Sequence, residues 1–235
     1  IQEREDDLVL ATFGRGFYIL DNYSVLREID KDFLKKKAHM FDIKDALMYI
    51  ETGYKYGQGS TEFFGENPKY GATFSYYVKD VPLTLKQERK KREKKLIKEK
   101  AAIPMPSDEE LRLEEKEHAP YFVFTITDEA NDIVRKFTKK ATKGINRVNW
   151  DLRYGNFNPI SLRDDNYNPM NDGGSSILVM PGKYFVKMDM IANGVLTPLT
   201  EPKEFTCKLL NNRTLPAENH EEMVAFQLKI SKMVQ

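Results

Sequence analysis

The chain has 235 residues, of which 40% are hydrophobic and 11% aromatic, so it can bury a core of ordinary size and wholesale disorder is excluded. Its 37 basic and 36 acidic residues leave a net charge of +1, which gives no global attraction to nucleic acid or membrane. The single cysteine, Cys207, excludes an intrachain disulfide framework and any multi-cysteine metal site, and no stretch approaches the roughly 20 apolar residues that span a bilayer.

The first residues, Ile-Gln-Glu-Arg-Glu-Asp-Asp, contain neither an initiator Met nor a signal peptide and read as an edge inside a longer protein. Residues 8–13 and 17–20 are apolar at both alternating sets of positions, so each strand expects cover on both faces. Gly14 and Gly16 around Arg15 offer the freedom of a tight connection, which makes 8–20 a hairpin and Arg15 a structural donor to nearby carbonyls. A two-stranded hairpin is marginal alone, so its partners are expected elsewhere.

Residues 23–29 predict a turn of helix and 38–50 one strand with irregular chain. The stretch 53–71, rich in Gly, Tyr and Asn, reads as a loop, and 31–70 as a connector. Its aromatics Tyr54, Tyr56, Phe63 and Phe64 either pack on a neighbouring surface or stack on sugar rings. From residue 71 strand signals recur at 72–78, 121–127, 132–137, 146–152, 183–191 and 203–209. Turn signals separate them, the strongest being Asn193-Gly194. This spacing predicts an Ig- or fibronectin-like antiparallel β-sandwich with Trp150, Val148 and Leu152 in its core.

One insertion, 83–118, interrupts the pattern. "LTLKQERKKREKKLIKEK" is basic and helix-forming, and "SDEELRLEEKEHAP" is acidic, with Ser107 and Glu110 at capping-box spacing. The two predict a helical hairpin paired by charge. In 220–235 Met223, Phe226, Ile230 and Met233 recur at helical spacing; with no cap in sight, 213–235 reads as the start of a truncated C-terminal helix.

Chemistry-bearing patterns are sparse. The basic tract at 86–100 lacks interleaved aromatics and faces an acidic neighbour, so it does not predict nucleic-acid binding. "DDNYNPMNDGG" offers Asp164, Asp165, Asn168 and Asp172 as a loose calcium loop, but Pro169 and Ser175 stand where an EF-hand needs its Gly and Glu. No other cofactor is expected. His39, His118 and His220 have no second ligand at metal spacing. Neither a nucleophile elbow nor a P-loop occurs. Asp21 and Asp151 read as strand-end turn residues before they read as catalytic carboxylates.

"DLVLATFGRGFYILDN" resembles the last strands of a blade in the BNR-repeat, sortilin-like β-propellers of large secreted bacterial proteins often labelled glycosyl hydrolases; Thr12, Gly14, Arg15, Gly16, Phe17 and Asp21 carry the match, and Phe13 replaces a common His. "YGATFSYYVKD", "FTITDEANDIVRKF", "GINRVNWDLRY" and "PGKYFVKM" are similar to the region after that propeller, and the second half is similar to the Ig-like domain of flagellar hook-capping proteins. The Asp-box Ser-x-Asp-x-Gly-x-Thr is missing, and no matched residue is a catalytic group of that family. The resemblance implies four parts: 1–30 as a terminal propeller hairpin, 31–70 as connector, 71–212 as sandwich and 213–235 as helix. It implies a non-catalytic module that packs on its own upstream propeller in a secreted, periplasmic or surface protein. A carbohydrate-binding or accessory domain is the alternative, with carbohydrate or another protein as partner, and a hydrolase active in its own right ranks below both.

Overall fold

Aromatic rings from strands far apart in sequence meet in one core. The computed structural model describes residues 3, 6–14, 16–50, 68–157, 159, 168–171, 173–210 and 219–234. In chain order the strands are β1 (Leu8–Ala11), β2 (Phe17–Leu20), β3 (Ala38–Met40), β4 (Ala46–Met48), β5 (Ala72–Val78), β6 (Tyr121–Asp128), β7 (Ile133–Lys140), β8 (Gly144–Trp150), β9 (Arg153–Gly155), β10 (Ser175–Leu178), β11 (Gly182–Ala192), β12 (Val195–Pro198) and β13 (Lys203–Leu209). The helices are α1 (Ser24–Arg27), α2 (Leu85–Lys98), α3 (Asp108–Lys116) and α4 (His220–Val234).

The larger sheet has the order β4-β13-β11-β6-β7, with β12 folded back on β11; the smaller has the order β3-β5-β8. Pairs are antiparallel except β4–β13, which is parallel. The fold is therefore mainly β and sandwich-like. Period-two alternation turns Phe122, Phe124 and Ile126 of β6 and Tyr184, Val186 and Met188 of β11 inward, all buried. Against them the smaller sheet sets Phe74 and Tyr76 of β5 and Val148 and Trp150 of β8, also buried. The sheets meet ring to ring: Phe74 lies edge-on to Phe205 at 5.2 Å and Trp150 to Tyr184 at 5.7 Å between centroids. Leu152, expected beside Trp150, is fully buried, but its φ of 57° ends β8 before it. The Trp150 indole donates to the Arg153 carbonyl at 3.0 Å.

The segment read as a connector contributes to both sheets. Its strand β3 pairs with β5 and its strand β4 with β13. It also builds a second cluster on the outer face of the smaller sheet, where Phe33 stacks on Phe41 at 5.3 Å and meets Tyr77 at 4.9 Å, with Val25 of α1 beside them. The Asn193-Gly194 turn forms as its sequence predicts, with φ of 50° and 75° joining paired Ala192 and Val195.

Between β5 and β6, α2 and α3 form the expected hairpin. Thr84 with Gln87 and Ser107 with Glu110 each close a full capping box. Arg89 grips Glu114 with two hydrogen bonds, at 2.6 and 2.8 Å, and Glu93 with a third at 2.7 Å. The Arg89 guanidinium holds the Glu114 carboxyl below its ordinary value of 4.5. Because the folded value is the lower one, the pair adds stability above about pH 4.5 and loses it as the pH falls through the folded value. Acidification below that point is expected to open α2 and α3 before the sandwich, read as faster amide exchange in 85–116 than in β5 and β6; equal exchange in both regions would contradict it.

Gly71 packs its backbone against Trp150. A Cβ there would lie 1.9 Å from the Trp150 carbonyl oxygen, and its φ of 116° suits glycine alone. Gly71→Ala is expected to destabilise the fold by at least about 3 kcal/mol in denaturant titrations, whereas Gly144→Ala, at φ 89° but in open space, costs about 1 kcal/mol.

Candidate functional site

Strands β1 and β2 pair in register, Leu8 with Leu20, Val9 with Ile19, Leu10 with Tyr18 and Ala11 with Phe17. Alternation puts Leu8, Leu10, Tyr18 and Leu20 on one face and Val9, Ala11, Phe17 and Ile19 on the other. Both faces stay open: Phe17, Tyr18 and Ile19 are 76%, 67% and 62% exposed. Among the described residues no further strand pairs with either edge. An open, two-faced apolar sheet of this kind marks a binding surface.

The tip closes differently from the sequence expectation. Gly14 is outside the left-handed region; the loop is held by Thr12, whose amide and hydroxyl both donate to the Gly16 carbonyl at 3.0 Å. Arg15 lies outside the described residues. Left-handed backbone occurs instead at the base, at Asp6 and Asn22 with φ of 52° and 48°, residue types that tolerate it.

Polar ties fasten that base to the sandwich. The Tyr23 amide donates to the Asp6 carbonyl at 2.7 Å and the Asn22 amide to the Asp7 carboxylate at 2.9 Å. Arg27 and Lys44 reach the Asp6 carboxylate at 3.0 and 3.5 Å. From β8, Arg147 donates to the Asp21 and Asn22 carbonyls at 2.5 and 2.9 Å. The attachment is thus polar and local, while the apolar blade points away from the core.

His39 contacts the Glu28 carboxylate at 3.0 Å and stands edge-on to Phe33 and Phe41. Burial pushes the Cys207 thiol up to about 12, so it is a core residue without nucleophilic character at neutral pH. The Asp21 backbone carbonyl accepts from Arg147. Asp151 borders a cleft of about 160 Å³ with Arg135, Lys139 and Trp150, and Arg135 donates to the Tyr154 and Gly174 carbonyls. Asp164, Asp165 and Asp172 of the calcium candidate lie outside the described residues. The Asn168 carboxamide oxygen accepts from the Met170 amide at 2.9 Å, an Asx turn. Among the described residues no group of three His, Cys, Asp or Glu side chains could hold a metal. Tyr54, Tyr56, Phe63 and Phe64 also lie outside the described residues.

A cleft of about 310 Å³ that sequence reading missed opens between α4 and β10, lined by Met48, Arg153, Leu178, Met180, His220 and Met223 among others. Its walls come from four separated stretches, so no local pattern announces it. Among the described residues no helix is long and apolar enough to cross a membrane. Comparison of the chain with protein-family models, with curated proteins and with solved structures gave no match.

Arg147→Ala is expected to speed amide exchange at β1 and β2 while costing the sandwich about 1 kcal/mol or less, because it removes hydrogen bonds at an exposed site. Unchanged exchange in the hairpin would show that Arg147 does not hold it.

Proposed function

We propose that this chain is a non-catalytic β-sandwich module of a larger exported BNR-repeat propeller protein, and that hairpin β1–β2 packs the module on that propeller. The carrying observation is the hairpin itself: seven of its described side chains between Val9 and Leu20 are large, apolar and exposed, and among the described residues no strand pairs with either outer edge. A surface that is apolar on two faces suits insertion between β layers or extension of a partner sheet, and unpaired edge groups supply the hydrogen bonds for it. The polar clamp at Asp6, Asn22 and Arg147 supports the same reading, since it fixes the blade's direction without covering it. The described carboxylates considered for hydrolysis, Asp21 and Asp151, stand apart: one is an exposed turn residue beside Arg147 and the other borders the cleft at Trp150.

The test compares hydrogen exchange in this chain with exchange in the full-length parent protein. The amides of β1 and β2 are expected to exchange freely in the former and to be protected in the latter, with Ile19→Lys removing the protection and leaving β5 and β6 unchanged. Equal exchange in both proteins overturns the docking role. Turnover of a glycoside or peptide substrate by this chain, lost on Asp21→Asn or Asp151→Asn, overturns the non-catalytic reading.

A further inference from the structure

The helical hairpin presents a second surface, unlike the first in chemistry. Among the described residues α2 and α3 bury no apolar side chain, and the pair is held by its caps, by the Arg89 clamp on Glu114 and by the Leu85 amide, which donates to the Glu117 carboxylate at 2.7 Å. Helices of 14 and 9 residues without a buried face are marginal in water. Arg89 and Glu93 mark the side of α2 that meets α3. At 3.6 residues per turn, Lys91, Lys94, Lys95 and Lys98 fall on the opposite side, all four exposed, while Lys90 stands on the flank toward α3, where its charge acts on Glu114.

At the end of α2 and in the loop to α3 the hairpin tip is apolar. Ile97, Ile103 and Met105 are 59%, 49% and 94% exposed, and they sit among Ala101, Ala102, Pro104 and Pro106. Of the carboxylates nearest this tip, Glu99 approaches Lys95 at 3.9 Å, Glu110 accepts from the Ser107 amide at 2.9 Å, and Asp108 and Glu109 stand in the first turn of α3, where the helix dipole favours them. Lysines flanking an exposed apolar tip match the two layers of a lipid surface, anionic headgroups outside and acyl chains beneath. Nucleic acid would use the lysines and leave the tip in water, since no aromatic ring stands there to stack on a base.

We infer that the α2–α3 hairpin docks on an anionic bilayer surface, with the Lys91, Lys94, Lys95 and Lys98 side facing the headgroups and Ile103 and Met105 entering the interface. This goes beyond the role of the β1–β2 hairpin and does not depend on it.

The experiment is co-sedimentation of this chain with vesicles of mixed phosphatidylcholine and phosphatidylglycerol against vesicles of phosphatidylcholine alone. Binding is expected to the mixed vesicles and to weaken as salt is raised. Lys91→Gln, Lys94→Gln and Lys98→Gln together are expected to weaken it by at least about tenfold, with far-UV circular dichroism unchanged because Gln is as good a helix former as Lys. In a Met105→Trp variant, indole emission is expected to shift to the blue on the mixed vesicles, while the buried Trp150 contributes a constant signal. Three results would each overturn the proposal: absence of vesicle binding, binding that survives the triple substitution, and an indole emission of the Met105→Trp variant that does not move. Retardation of DNA or RNA without vesicle binding would assign the lysines to nucleic acid, and salt-sensitive self-association without it would assign them to α3 of a second copy; either outcome overturns the lipid assignment.

Discussion

Strand β5 has to be covered on both faces, and much of the architecture follows from that requirement. Ala72, Phe74, Tyr76 and Val78 face the larger sheet, while Ser75 and Tyr77 face outward, and all six are buried. The inward set meets β6 and β13 through Phe122, Phe124 and Phe205. The outward set needs a separate lid. That lid is the second cluster, in which Phe33, Phe41 and Val25 cover Tyr77. The turn containing Phe33 and the short helix α1 therefore lie where they do because β5 would otherwise expose a tyrosine face, and α1 in turn stands next to the base of hairpin β1–β2.

The same two-faced pattern at residues 8–20 has the opposite outcome. Nothing described in this chain covers β1 or β2, although their alternation is as apolar as that of β5. Two strands bury too little surface to offset their own ordering, so the hairpin's order derives from its base. Asp6, Asp7, Asn22, Arg27, Lys44 and Arg147 make that base a polar knot. Apolar contacts there would have spread along the blade and hidden it; short hydrogen bonds at one end do not. Attachment and exposure are thus compatible because they use different chemistry at different ends of the same element.

Long elements with clean periodicity were legible in the sequence. Strand β5 and strand β13 occur at the residues their alternation predicts, and the Asn193-Gly194 turn and the Ser107–Glu110 capping box act through the local physics that makes them recognisable. The misses are elements whose cause is not local. Strands β9 and β10 are short, their pairing carries a register shift, and they are separated from β8 by left-handed Leu152. Within 38–50, where the sequence predicts one strand, two form, β3 and β4 of three residues each, because β5 and β13 offer edges to them. Gly71 reads as a loop glycine until its contact with the carbonyl of distant Trp150 is seen. At the candidate site the apolar strands were visible in the sequence, but the clamp was not, because Arg147 reaches across 125 and 126 residues to the carbonyls it holds.

Net charge concealed another part of the surface. A balance of +1 argues against attraction to any polyanion only if charge is evenly spread, and here it is sorted by helix. Helix α2 carries eight Lys or Arg against two Glu, and α3 carries five acidic residues against two basic ones. One arginine, Arg89, joins the two sets. On the side of α2 away from α3, Glu99 approaches Lys95 at 3.9 Å, and Glu88 precedes Lys91 by one turn. Because the Debye length is about 8 Å at physiological ionic strength, a surface touching that side responds to the local lysines more than to the distant acidic helix. Neutrality of the whole chain and a cationic face on one hairpin therefore coexist.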